Sequence, residues 1–231
     1  RFWLDKGIDG FRMDVIPLIS KRLDFPDGDL SDFKTLVEET YANGPKVHNY
    51  LQEMHREVLS HYDIMTIGEG IGVKTEQANL YVGDDRQELN MLFHFGHMGI
   101  DQGPEGKFDP VPWDLPTFKK IFFDWYQACN ESGWTSLYLG NHDFPRMVSR
   151  FGHDTTYREP AAKLLATLLF SLRGTPFIYQ GDEIGMTNTQ FDSIDDFRDV
   201  ETLNSYREVA HDEQMVEKFM QGAKKMGRDN A

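Results

Sequence analysis

Five short apolar runs, over 10–16, 64–68, 91–95, 136–139 and 176–179, constrain this chain more than any other feature. Stripes at helical spacing lie between most of them. Val47, Leu51, Met54 and Val58 form one, and Phe118, Ile121, Phe122, Trp125 and Cys129 a second. Leu164, Leu165, Leu168, Leu169 and Leu172 form a third, ended by Gly174 before Pro176. The connection from Gly70 to Gln87 has room for only a short helix around Thr75 to Leu80. Strand alternating with helix means parallel strands with helices outside. Five such units fit part of an open doubly wound sheet or more than half of a (β/α)8 barrel. No Gly-rich phosphate loop follows any run, which counts against a dinucleotide fold. Arg22 to Asp32 reads as an acidic loop, and Asp212 to Arg228 as an amphipathic helix with a basic turn.

The charge balance narrows the partners. With 24 Lys and Arg against 38 Asp and Glu, the net charge is −14, which argues against nucleic acid or an anionic membrane. No run approaches the length of a membrane span, and no signal peptide is visible. The one cysteine, Cys129, excludes an internal disulfide framework and suits a reducing, cytoplasmic compartment. His61, Asp63 and His153 show no metal-ligand pattern, so neither a metal nor a cofactor is expected. The chain opens at Arg1 without Met and stops at "GRDNA", which suggests a piece of a longer protein.

Parallel α/β folds place their sites at the C-terminal ends of their strands. Carboxylates recur there. The first run ends at Asp14, the second at Glu69, the fourth at Asp143, and the last reaches Asp182 and Glu183 in "YQGDE". A carboxylate after an apolar strand is costly to desolvate unless it has partners or work to do. Two carboxylates across a small gap are what glycoside hydrolysis needs: one attacks or stabilises the anomeric carbon, the other holds and returns a proton. Arg12, two residues before Asp14, shares its face in a strand and would keep it ionised. Glu69 should have the opposite surroundings, less cationic and more apolar. Its neighbours Gly68 and Gly70 either admit a sugar closely or serve a turn. His94 and His97, interleaved with Phe93 and Phe95, either line a pocket or sit in the core.

"GFRMDVI", "TIGE" and "GNHDFPR" resemble, in order, three blocks of the α-amylase family of glycoside hydrolases. "GTPFIYQGDEIGMTN", "DVETLN" and "GRDNA" resemble its oligo-1,6-glucosidase and dextran glucosidase branch. The resemblance implies a retaining double displacement on the second half of a (β/α)8 barrel, roughly its fourth to eighth strands. Residues 1–231 would then be a partial catalytic domain. The first three strands, most of the inserted domain and the C-terminal β-domain would be absent. Carried over, Asp14 is the nucleophile, Glu69 the acid/base and Asp143 the third carboxylate. Arg12 supports the nucleophile, His142 bonds the sugar, and Val15, Ile71 and Asp182 join the substrate contacts.

In this branch Val after the nucleophile goes with α-1,6 linkages, and Thr or Ala with α-1,4, so Val15 implies isomaltose-type oligosaccharides. The chain departs from the family pattern at Gly70, Ile71, Gly96, Leu139 and Gly140, which bears on linkage and chain length but not on the chemistry. The rivals are a sucrose isomerase or another transglucosylase, an α-1,4-preferring glucosidase, and a silent barrel serving as a structural partner. The three carboxylates argue against the last.

Overall fold

The first apolar run forms strand β1, Gly10–Met13. The computed structural model describes residues 1–24, 26–28 and 36–229. Of the predicted loop over 22–32, positions 25 and 29–32 lie outside the described residues. Helix α1, Val47–Glu57, follows, then β2, Met65–Gly70. A 3-10 turn at Thr75–Gln77 leads into α2, Ala78–Val82, and then β3, Met91–His94. These three strands pair in parallel in the order β1-β2-β3, with Arg12 opposite Ile67 and Glu69 opposite Phe93. The expected alternation of strand and helix is therefore present.

A hairpin that the apolar pattern does not reveal comes next: β4, Gln102–Gly103, and β5, Gly106–Pro110, run antiparallel. Helix α3, Leu115–Ala128, carries the second stripe, and β6 is only Ser136–Leu137. Helices α4, Met147–Phe151, and α5, Arg158–Ser171, precede β7, Thr175–Pro176, which pairs with β6. Helices α6, Val200–Val209, and α7, Glu213–Met226, close the order. The strands are shorter than the apolar runs because only part of each run enters a ladder: Tyr138 and Leu139 are buried without extending β6. The leucine stripe of α5 also differs from expectation. Leu165 and Leu169 are buried, while Leu164 and Phe170 are exposed.

The chain divides into two compact units. The first holds Arg1–Gly96, Lys119–Ser136 and Arg173–Thr175; the second holds His97–Phe118, Leu137–Leu172 and Pro176–Ala231. In the first, Val47 and Leu51 of α1, Tyr81 and Val82 of α2, Leu92 of β3, and Trp125 and Cys129 of α3 share one core. A Cβ on Gly68 would come within 2.7 Å of Leu89 and 2.8 Å of Ile16, and one on Gly70 within 2.6 Å of Leu92. The glycines beside Glu69 thus serve close packing against this core, the answer to a question the sequence left between sugar access and turn chemistry. Glu88 is also fully buried here, and it is tolerated because Arg86, Gln52 and His48 bond it at 2.8, 3.0 and 2.8 Å.

In the second unit α7 packs against β5, and Gly222 makes this possible: a Cβ there would lie 1.8 Å from the Phe108 carbonyl oxygen. Phe108, Phe197, Phe219 and Ala223 gather into its apolar cluster. Asp199 and Asp212 cap α6 and α7, each accepting two backbone N–H groups.

Candidate active site

In the first unit, β1 ends one residue before Asp14. The pairing of Arg12 with Asp14 is present, but it is made across a turn and not along a strand face: Arg12 Nη1 donates to Asp14 Oδ1. Val15 follows in a left-handed conformation, φ 35° and ψ 43°. For a β-branched residue this is a strained outlier, of the kind that clusters at working sites. The side-chain alternation of a strand therefore does not extend to Val15. Its backbone N–H instead donates to Glu69 Oε2 at 3.0 Å.

Glu69 lies within β2, near its C-terminal end. Its side chain is 9% exposed, whereas that of Asp14 is 77% exposed. The contrast in burial follows expectation; the contrast in charge does not. Arg12 Nη2 also reaches Glu69 Oε2, at 2.7 Å, so one guanidinium grips both carboxylates. Burial still dominates and raises the Glu69 pKa above the usual carboxylate range. The Val15 N–H and Arg12 oppose that rise, and hydrogen bonding with Asp14 and its charge add to it. Ile71, half-buried, sits in the turn just after β2.

In the second unit, His142 and Asp143 follow the buried residues after β6. His142 is exposed, with its Nε2 3.2 Å from Asp143 Oδ2. Arg228 Nη1 donates to the His142 carbonyl at 3.1 Å and to Asp143 Oδ1 at 3.2 Å, and its Nη2 meets Asp199 at 2.8 Å. Burial works against ionised Asp199, but bonds from Thr202 and the Arg228 charge outweigh it and hold its pKa low. Asp182 is buried and accepts the Tyr179 N–H at 3.1 Å; burial pushes it up to about 6. A Cβ on Gly140 would lie 3.6 Å from Asp182 Oδ1, so that departure from the family pattern sits against Asp182.

The chain matches the family described as Alpha amylase, catalytic domain, over residues 1–231. It belongs to that family. It is 53% identical over 233 residues to the oligo-1,6-glucosidase of Bacillus cereus, a match covering 100% of this chain and 42% of that protein. The oligo-1,6-glucosidase of Parageobacillus thermoglucosidasius is also 53% identical, with the same coverage. Among solved structures, isomaltulose synthase from Erwinia rhapontici NX5 superposes with TM-score 0.91 at 44% identity, covering 98% of this chain and 41% of that one. The chain thus spans about two-fifths of the length of such relatives.

Of the two places the sequence left open for His94 and His97, the structure has them in the core. His94 stacks on Trp125 with centroids 4.5 Å apart, and burial pushes its pKa down to about 3. His97 meets Tyr138 edge-on. Some residues escaped the sequence reading: Arg228 and Lys107 reach Asp143 from distant parts of the sequence, and Asp199 pairs with Arg228. Arg228 stood inside the quoted "GRDNA", whose adjacent opposite charges were the available signal. Its neighbour Asp229 bonds buried Arg146 at 2.7 Å. Among the described residues no helix is long and apolar enough to cross a membrane.

Proposed function

We propose that the polypeptide carrying this chain is a retaining α-glucosidase of short α-1,6-linked gluco-oligosaccharides, with Asp14 as nucleophile, Glu69 as acid/base and Asp143 as the third carboxylate. The observation that carries the reading is the pair held by Arg12, one just after β1 and one in the neighbouring β2: one carboxyl exposed, the other buried with a raised pKa. A retaining mechanism needs this division, because the proton donor must be neutral when the nucleophile is charged. In the first step Asp14 attacks the anomeric carbon while Glu69 protonates the departing oxygen. Water, deprotonated by Glu69, then releases the sugar.

His142 is assigned a bond to the sugar, with Val15, Ile71 and Asp182 among the substrate contacts. Residues 1–231 correspond, in this reading, to the fourth to eighth strands of a (β/α)8 barrel, within a longer cytoplasmic enzyme. Greater identity to the oligo-1,6-glucosidases than to isomaltulose synthase favours hydrolysis over sucrose isomerisation. The test is kcat/KM of the full-length enzyme on isomaltose, isomaltotriose, maltose and sucrose. Isomaltose should be preferred to maltose by about 10–200-fold, the range of steric discrimination, and Val15→Ala should narrow the gap. Equal or better maltose hydrolysis contradicts the linkage, and isomerised sucrose as main product contradicts hydrolysis.

A further inference from the structure

Two turns leave the parallel ladder beside its carboxylates. One follows Asp14 and is a short 3-10 helix, Ile16–Ile19, entered through the left-handed Val15. The other follows Glu69 and carries Ile71 and Gly72, with Gly72 left-handed at φ 70°. Asn43 bonds to both and is itself left-handed, at φ 55°. Its N–H donates to the Pro17 carbonyl at 3.0 Å, and its Nδ2 donates to the Gly72 carbonyl at 2.8 Å. Its Oδ1 accepts the hydroxyl of Tyr81, a fully buried residue of α2, at 2.6 Å. The fit around this corner is close. A Cβ on Gly44 would lie 2.0 Å from the Ser20 carbonyl oxygen, and one on Gly72 would lie 2.8 Å from the Ala42 Cβ.

We propose that Asn43 is a positioning residue for the reaction: it braces the turn after Asp14 against the turn after Glu69, and so sets how the two carboxylates stand to each other. A left-handed corner by itself needs only glycine. The asparagine side chain adds bonds to residues 29 and 38 positions away. The Gly72 bond ties together the same two segments that the Val15 N–H and Glu69 Oε2 join at 3.0 Å. Val15 holds a conformation that a β-branched residue keeps only where its surroundings over-determine it. The Leu18 N–H on the Val15 carbonyl, at 2.9 Å, and the Asn43 N–H on that of Pro17 supply this constraint. Asn43 acts through these turns and touches no reacting atom. The inference rests on the roles proposed for Asp14 and Glu69.

The experiment compares Asn43→Gly with Tyr81→Phe in the full-length enzyme on isomaltose. Asn43→Gly keeps the left-handed corner and its N–H and adds no charge, but loses the bonds to Gly72 and Tyr81. Tyr81→Phe loses only the bond on the far side of Asn43 and is the structural control. A misplacement of about 1 Å costs about 10²-fold, so a partial one in Asn43→Gly should lower kcat by about tenfold. The Val15 N–H opposes the rise of the Glu69 pKa. Loosening its turn should therefore move the alkaline limb of the kcat/KM profile up by about one pH unit. The other charges on Glu69 are Arg12 and Asp14, at the end of β1. On β3 burial keeps His94 neutral, and the turn at Ile16–Ile19 has no titratable residue. Tyr81→Phe should lower Tm while its kcat stays within about twofold of wild type and its limb does not move. Should Asn43→Gly not fold, Asn43→Asp keeps an acceptor for Tyr81 without the donor to Gly72 and should show the same loss of kcat. A folded Asn43 variant with wild-type kcat, or an equal loss and limb shift in Tyr81→Phe, overturns the proposal while leaving the function in place. Full activity of Asp14→Asn or Glu69→Gln overturns the role assignment, and the proposal with it.

Discussion

The carboxylates of the first unit and the Asp143 region of the second are aimed by different means. Glu69 lies within the three-stranded parallel ladder and Asp14 follows directly on its first strand, and one guanidinium serves both. Asp143 has almost no ladder behind it, and side chains from separate elements hold its amide, its carbonyl and its carboxyl. Where hydrogen-bonded backbone sets the direction, few side chains are needed and each touches several groups. Where it does not, each polar atom needs its own partner. The first arrangement couples its members; the second divides the task.

The largest effects should come from the coupled pair. Glu69→Gln and Asp14→Asn keep shape and remove one chemical role each, so hydrolysis of isomaltose should fall by about 10²–10⁴-fold or more, the range for a lost acid/base. Far-ultraviolet circular dichroism should be unchanged. Replacing Arg12 should cost less, on the order of tenfold, but should move both partners at once. Arg12 opposes the upward shift of Glu69, so in Arg12→Met the Glu69 pKa rises further. Glu69 must be protonated to act as acid, and the alkaline limb of the kcat/KM profile should therefore move to higher pH. An unmoved limb would show that the two carboxylates are not coupled through Arg12.

Two smaller effects sharpen the contrast through stability. Asp182, which forms no ion pair among the described residues, is pushed by burial to a folded pKa of about 6 against an ordinary value of 3.8, with the Arg146 charge opposing the rise. Its folded form thus holds a proton that the unfolded form has released. The stabilisation is fully present below about pH 3.8 and is lost as pH rises through about 6, amounting to roughly 3 kcal/mol. Urea titrations across that window should show the decline, and Asp182→Asn should flatten it. In the first unit, Gly68→Ala or Gly70→Ala puts a methyl against Ile16, Leu89 or Leu92 and should destabilise by about 1–3 kcal/mol in the same assay. A neutral result would remove close packing as the reason for those glycines.

What the sequence made legible was local. Period and length marked β1, β2, β3, α1 and α3, because apolar spacing records which face is buried. Residues at strand ends marked Asp14, Glu69 and Asp143. The hairpin β4–β5 stayed hidden since "QGPEGKFDP" carries no apolar alternation and owes its place to a backbone contact at Gly222. The left-handed turn at Val15 is invisible because a valine there breaks the local rule. Lys107, Arg228, Asp199 and the second bond of Arg12 all span long sequence separations, where spacing carries no signal.

The most direct test of the carboxylate roles compares leaving groups. Glu69→Gln and Asp14→Asn in the full-length enzyme are each assayed on isomaltose and on an aryl α-glucoside whose phenolate leaves without a proton. Glu69→Gln should release a burst of phenolate while failing on isomaltose, since attack by Asp14 survives and only protonation is lost. Asp14→Asn should fail on both. Equal residual rates of the two variants on the aryl glucoside would contradict the division of roles between Asp14 and Glu69.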